Sequence, residues 1–249
     1  LTRLLGQRYL FVHRADLIGS LLQAAQAANV TIKLGVQTVS VVPGDPCEVT
    51  FAEGDARSAD LVVCADGLHS VGRTAINGAT QAHFTGQVAW RATVPIEQAP
   101  AEATVTMGPG RHIVSYPLRG GRLMNIVAVE ERDHWAEEGW HHQDAPEALQ
   151  KVFSDFGPPV SDILDRVEQV HLWGLFRHPV AETWVNGKAV LLGDAAHPTL
   201  PFMAQGANMA LEDAWTLAAV VARGDTLTSY QALRKERTKR IVQTASGNA

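Results

Sequence analysis

Residues 188–214, KAVLLGDAAHPTLPFMAQGANMALEDA, decide how the rest of the chain is read. Lys188 to Leu192 is a short apolar run of the kind buried on both faces of an α/β sheet. It ends at Gly193, where the missing Cβ allows another group to approach the backbone. Asp194 then falls at the carboxyl end of the strand, where open α/β sheets bind ligands. Pro198 and Pro201 stiffen the loop that follows. Gly206 opens a helical pattern running to Arg223, whose free N–H groups and dipole favour negative charge. The sequence therefore predicts a strand, a rigid loop and a helix that together cradle an anionic or polar ligand.

Working outward, residues 60–65, DLVVCA, form a second continuous apolar run, read as another strand buried on both faces. Between the two runs lie strand-like segments at 87–94, 104–107, 112–118 and 122–129, separated by Pro100, Gly108-Pro109-Gly110 and Arg119-Gly120-Gly121. Helical segments are expected at 146–156 and 160–167, and a further strand at 170–176. Upstream, residues 14–29 carry Leu17, Leu21, Leu22, Ala25 and Ala28 at helical spacing, the pattern of an amphipathic helix. Runs at 31–34, 38–42 and 48–51, with turn signals between them, read as a small antiparallel meander. A last helix is expected at 227–244. The economical architecture is one α/β layer interrupted by an antiparallel sheet.

Composition narrows the function. The chain has 249 residues and a formal charge of −5, which argues against a nucleic-acid binder living on phosphate contacts. No apolar run approaches the roughly 20 residues that a bilayer-spanning helix needs. Cys47 and Cys64 are the only cysteines, too few for a disulfide scaffold or a Cys-rich zinc site, and they fit a reducing, cytoplasmic setting. The cluster His134, Glu137, Glu138, His141 and His142 lacks H-E-x-x-H spacing and is interrupted by Gly139, so a solvated loop is expected there and no metal. No G-x-S-x-G elbow occurs, and neither cysteine has the basic neighbour that marks a nucleophile. Trp135, Trp140, Trp173 and Trp184 are read as packing residues.

Three motifs, in order, resemble those of the FAD-dependent aromatic hydroxylases, the single-component flavoprotein monooxygenases with the p-hydroxybenzoate hydroxylase fold. The segment from Gly193 to Ala214 resembles their second FAD-binding motif. Asp66-Gly67-x-x-Ser70-x-x-Arg73 resembles their other internal motif, again after an apolar strand. His13-Arg14-x-Asp16-Leu17 resembles the helix start that carries a flavin-contacting arginine. Met203-Ala204-Gln205-Gly206 and Tyr116-Pro117-Leu118-Arg119-Gly120-Gly121 are similar to the salicylate and 3-hydroxybenzoate hydroxylase branch. One element of the family pattern is missing: there is no G-x-G-x-x-G, because Ile113 stands where the third glycine would follow Gly108-Pro109-Gly110. The expectation is therefore an N-terminally truncated α/β (mixed α+β) fold. Residues 1–78 would be the remainder of an FAD-binding domain, 79–180 an antiparallel-sheet substrate domain, and 181–249 the second FAD motif with C-terminal helices.

The resemblance implies site roles. Asp194 would hydrogen-bond the ribityl hydroxyls of FAD, and Pro201, Gln205, Gly206, Ala207 and Asn208 would line the isoalloxazine ring. Arg14 would meet the ribityl or pyrophosphate region, and Asp66 with Arg73 would serve the flavin site and the use of NADH or NADPH. A capped helix start with a local ion pair is the alternative for Asp66 and Arg73. On the substrate side, a strand across 111–118 puts His112, Val114 and Tyr116 on one face. In the resembling branch that sheet roofs the pocket in front of the flavin, so His112 would be the base toward a phenol and Tyr116 would position the substrate. A half-buried His and Tyr without a role is the alternative. Arg91 is a weaker candidate for a substrate carboxylate, beside the plainer reading of a surface ion pair.

The implied activity is NAD(P)H-dependent hydroxylation of a phenolic or benzoate-type ring with O₂ through the flavin C4a-hydroperoxide. The implied partners are a small aromatic substrate and O₂, without nucleic acid or membrane, and a homodimer stays open. Two other readings stay open: another FAD-fold oxidoreductase such as an epoxidase, and a catalytically silent truncated fragment.

Overall fold

The computed structural model describes residues 6, 9–134 and 143–247. In chain order these form α1 (Arg14–Ala27), β1 (Thr38–Val42), β2 (Cys47–Phe51), β3 (Ala56–Ala59), β4 (Val62–Cys64) and α2 (Val71–Asn77). The strands β5 (His83–Pro95), β6 (Thr104–Gly108), β7 (Arg111–Leu118), β8 (Leu123–Glu131) and β9 (Gln143–Asp144) follow. Then come α3 (Pro146–Val152), α4 (Val160–Leu164), β10 (Val170–Arg177), β11 (Val185–Asn186), β12 (Ala189–Leu191), α5 (Gly206–Arg223) and α6 (Leu227–Gly247). The chain divides into two compact units, Leu1–Ile32 with Gly86–Leu175, and Lys33–Thr85 with Phe176–Ala249. Among the described residues no helix is long and apolar enough to cross a membrane.

The first unit is built on a six-stranded sheet in the order β6-β7-β8-β5-β10-β9. β6, β7, β8 and β5 form a continuous antiparallel ladder, from the four strand-like segments expected between the two apolar runs. One face of that ladder is a core. Trp90 is fully buried, meets Phe153 edge to face at 6.1 Å, and donates its Nε1–H to Asp144 Oδ2 at 2.8 Å. Leu149, Phe156 and Leu164 are also buried. Arg111 lies on the same side with its guanidinium 5.6 Å from the Phe156 ring, and it pairs with Asp155. Helix α1 buries none of its residues, so the apolar pattern at 14–29 yields a helix without a covered face.

The second unit holds two three-stranded sheets. One is the antiparallel meander β1-β2-β3, and the other has the order β11-β12-β4. β12 runs parallel to β4, with Ala189 opposite Val62 and Leu191 opposite Cys64, so the two apolar runs come together across more than a hundred intervening residues. Trp184 and Tyr230 fill the core with Leu191, Leu217 and Val220. The Trp184 and Tyr230 rings stand 5.6 Å apart, and the Tyr230 hydroxyl donates to Leu191 C=O at 3.1 Å.

Three expectations change. The run at 31–34 forms no strand and is exposed, whereas Ala56–Ala59 supplies the third strand of the meander, one strand later than expected. The run at 60–65 is not buried on both faces, because β4 is an edge strand and Val63 is exposed. The helices expected at 146–156 and 160–167 are shorter, ending at Val152 and Leu164. Trp135, Trp140, Glu137, Glu138, His141 and His142 lie outside the described residues.

Candidate functional site

In the second unit the segment after β12 is organised around one carboxylate. Gly193 has φ +62°, and a Cβ there would stand 3.2 Å from Ala210 Cβ on α5, so glycine is required both by the turn and by the close helix. From Gly193 to Pro198 every residue is buried except Asp194, which is exposed at the end of the strand. The Gly193 N–H donates to Asp213 Oδ2 at 3.2 Å, and His197 Nε2 lies 2.5 Å from the same oxygen. Asp213 Oδ1 accepts from Arg234 Nε at 2.7 Å. Arg234 also pairs with Glu212, which Arg237 grips from the other side at 2.7 and 2.8 Å. These two arginines hold the Glu212 carboxyl far below its ordinary value of 4.5, at about 2. The loop bearing Asp194 is thus pinned at both ends to the second turn of α5, and through Arg234 to α6.

The helix that follows begins open. Pro201–Met203 form a single 3₁₀ turn, Ala204 takes a left-handed conformation at φ +51°, and Gln205 occupies the N-cap without a side-chain cap hydrogen bond. The first N–H groups of α5, those of Gly206, Ala207 and Asn208, therefore meet no cap side chain, while Ala207 and Asn208 are exposed. At the far end Gly224, at φ +69°, closes the helix with its N–H on the last-turn carbonyls.

Asp66 and Arg73 do not pair with each other. The exposed Asp66 carboxylate accepts from the N–H groups of Val71 and Gly72, at 2.8 and 3.3 Å, while Ser70 Oγ caps α2 by accepting from Arg73 N–H at 2.8 Å. Arg73 is buried and spends its guanidinium on backbone: NH1 donates to Ala195 and Ala196 C=O, and NH2 to Pro179 C=O. The local ion pair is replaced by a helix cap and a buried strut under the Asp194 loop. Asp66, Arg73, Asp194, Pro201, Gln205, Gly206, Ala207 and Asn208 all belong to this second unit.

Arg14, His112 and Tyr116 belong to the first unit. Arg14 is exposed at the start of α1, whose N-cap is His13, accepting through Nδ1 from Ala15 N–H. His112, Val114 and Tyr116 do share one face of β7, the face opposite the Trp90 core, and each is half-buried. Burial lowers the His112 imidazole below its ordinary value of 6.5. Burial raises the Tyr116 phenol, while the Arg91 charge acts against that rise. The Tyr116 ring stacks on Phe11 at 5.2 Å. Arg91 shows no surface ion pair among the described residues: it is half-buried on that face, its guanidinium 4.8 Å from the Trp173 ring centroid.

His197, Asp213 and Arg234 were not legible as site residues from motif matching. A signal exists, however. Asp213 falls on the buried stripe Met209, Leu217, Val220 of α5, and Arg234 on the stripe Tyr230, Thr238, Val242 of α6. A charge on an apolar helical stripe calls for a buried partner. Among the described residues no group of three or more His, Cys, Asp and Glu side chains could hold a metal ion.

Comparison with known proteins agrees with this architecture. The family described as FAD binding domain matches residues 4–245, and the chain belongs to that family. A 3-amino-4-hydroxybenzoate 2-monooxygenase of Streptomyces platensis is 32% identical over 246 residues, 95% of this chain and 62% of that protein. A 3-hydroxybenzoate 6-hydroxylase of Klebsiella oxytoca is also 32% identical, over 95% of this chain and 62% of its own length. A salicylate hydroxylase substrate complex superposes with a TM-score of 0.79 at 25% identity, covering 94% of this chain and 64% of that one. The chain thus spans about three fifths of the length of the curated relatives it matches.

Proposed function

We propose that this chain binds FAD and carries the flavin and substrate residues of an NAD(P)H-dependent monooxygenase acting on a phenolic or benzoate-type ring in the cytoplasm. One observation carries the flavin half: a single exposed carboxylate, Asp194, standing in an otherwise buried loop that is pinned to the uncapped start of α5. The residues fit the cofactor. Asp194 offers a carboxylate for ribityl hydroxyls, and Pro201 with Gln205 shapes the wall beside the ring. The N–H groups of Gly206, Ala207 and Asn208 would offer donors and a positive dipole end to the bound flavin. Arg14 and the exposed Asp66 complete the cofactor residues, and Arg73 acts by holding the Ala195–Ala196 backbone in place. When bound, FAD supplies the redox chemistry, taking two electrons from NADH or NADPH and activating O₂.

The chain's own chemistry is acid–base and positional. A neutral His112 imidazole accepts the phenolic proton of the substrate, which raises electron density at the ring carbons to be hydroxylated. Lowering of its proton affinity by burial keeps that nitrogen unprotonated near neutral pH. Tyr116, fixed by stacking on Phe11, orients the ring. Both relatives named above act on hydroxylated benzoates, which supports this substrate class.

The test is reconstitution with FAD, followed by NADH or NADPH oxidation against a panel of hydroxybenzoates. Bound yellow flavin, substrate-stimulated oxidation and a product heavier by one oxygen atom are expected. A protein that stays colourless with added FAD overturns the reading, and flavin without hydroxylation of any panel member points to another FAD-dependent oxidation.

A further inference from the structure

Helix α6 meets the second unit along a buried stripe of Tyr230, Arg234, Thr238, Val242 and Ala245, polar in its middle where an amphipathic helix is ordinarily apolar. Thr238 spends its hydroxyl on carbonyls of α6 itself, those of Arg234 and Lys235. Arg234 reaches across to α5 instead. Its Nε donates to Asp213 Oδ1 at 2.7 Å, Nη1 pairs with Glu212 at 2.7 Å, and Nη2 donates to Met209 C=O at 3.4 Å. Every nitrogen of this buried guanidinium therefore lands on the first two turns of α5, behind the open N–H groups of Gly206, Ala207 and Asn208. The same helix lies against the Pro201–Met203 turn. α6 thus backs both the turn and the helix start of the flavin site, although it supplies no flavin residue.

Asp213 passes this hold to the loop that displays Asp194. Its other oxygen takes the Gly193 N–H and His197 Nε2. His197 Nδ1 is buried with no hydrogen-bond partner among the described residues, so the grip on that ring depends on Asp213. A fully buried carboxylate keeps its charge and its place only while its cation stays beside it. We infer, resting on the FAD reading of Asp194 and α5, that Arg234 is a positioning residue of the flavin site. By docking α6 it fixes the Asp194 loop and the start of α5, and α6 docking and FAD binding strengthen each other. Linkage makes the effect reciprocal: whatever docked α6 adds to FAD affinity, FAD adds to the docking of α6. A lysine at 234 would keep the charge but lose the planar fork that serves three acceptors at once.

The test is FAD titration, followed by flavin fluorescence, of wild type, Arg234→Gln, Arg234→Lys and Tyr230→Phe, with the melting temperature of each protein alongside. Tyr230→Phe removes the bond to Leu191 C=O from the same helix and leaves the Arg234 contacts alone, so it reports plain loss of stability. Arg234→Gln is expected to weaken FAD by about 5- to 150-fold, the usual span of such couplings, and Arg234→Lys by less. Tyr230→Phe is expected to lower the melting temperature and keep the wild-type affinity. Asp194→Ala should cost less affinity in the Arg234→Gln background than in wild type, because the loop no longer holds that carboxylate in place. In wild type, added FAD should slow amide exchange along α6. An Arg234→Gln protein that binds FAD like wild type, or a Tyr230→Phe protein that loses as much affinity, overturns the inference and leaves the FAD reading standing. If Arg234→Gln does not fold, the wild-type exchange decides, and α6 exchange unchanged by FAD overturns the inference. Wild type that takes up no FAD overturns both.

Discussion

His197 Nε2 and Asp213 Oδ2 lie 2.5 Å apart, and both side chains are fully buried. The same oxygen accepts from the Gly193 N–H, four residues before His197 in the chain. One carboxylate therefore staples both ends of the loop that displays Asp194, and the Arg234 guanidinium compensates its charge from α6. The geometry explains how a largely buried loop holds its one exposed carboxylate, Asp194, in a fixed shape next to an open helix terminus. A flavin site of the proposed kind needs that rigidity, because the polar groups must be in place before the ligand arrives.

Removing this staple should be expensive. In Asp213→Ala the Gly193 and His197 donors are left buried without their acceptor and Arg234 keeps only its pairing with Glu212, a change that costs about 3–5 kcal/mol when one partner of a buried pair is lost. Asp213→Asn keeps an acceptor oxygen and should lose less. Urea unfolding midpoints compare the three proteins. An Asp213→Ala midpoint equal to wild type would show that the network contributes nothing net.

Glu212 gives stability a direction with pH. Its folded value of about 2 lies below the ordinary 4.5, so the folded state prefers the ionised form. Its contribution is fully present above 4.5 and is lost as pH falls from there toward 2. The carboxyl is partly exposed, which makes the contribution modest. Urea midpoints followed from neutral pH to about 3 should fall less steeply in Glu212→Gln than in wild type. Parallel curves would remove Glu212 from the acid response.

Packing under α2 makes a steric prediction. A Cβ at Gly72 would stand 2.2 Å from Cys64 Sγ and 2.5 Å from Cys64 Cβ. Gly72→Ala should therefore cost about 1–3 kcal/mol through overpacking against β4. Adding Cys64→Ala removes the sulfur but not the Cβ contact, so the double variant should recover only in part. Thermal melts of the single and double variants measure this, and a single variant as stable as wild type would contradict the packing.

Much of this was legible in the residues, and what was not has identifiable reasons. Helix α5 was readable from its first residue to its last because Gly206 opens it and Gly224 stops it. The two apolar runs were expected in one α/β layer, and β12 does pair with β4; that Val63 is exposed was not legible, since hydrophobicity does not reveal what covers a face. Ala56–Ala59 is short and mostly exposed, so it carries almost no pattern, whereas the β-branched run at 31–34 had strand propensity without a neighbour to pair with. Motif resemblance found Asp194 and Asp66, which face solvent, and passed over Asp213, whose meaning lies in three partners distant in sequence.

The substrate side yields a pH profile. His112 acts as a base only when its imidazole is neutral, and burial holds its proton affinity below the ordinary 6.5. In the FAD-loaded chain, kcat/KM for a hydroxybenzoate should stay level through neutral pH and fall on an acidic limb centred below 6.5. His112→Gln should lower kcat by about 100- to 10,000-fold and lose that limb, with flavin content unchanged. A merely packed histidine would alter the melting temperature and leave the limb where it was. The same acidic limb in wild type and His112→Gln would assign the proton transfer to another group, with Tyr116 next to be tested by Tyr116→Phe.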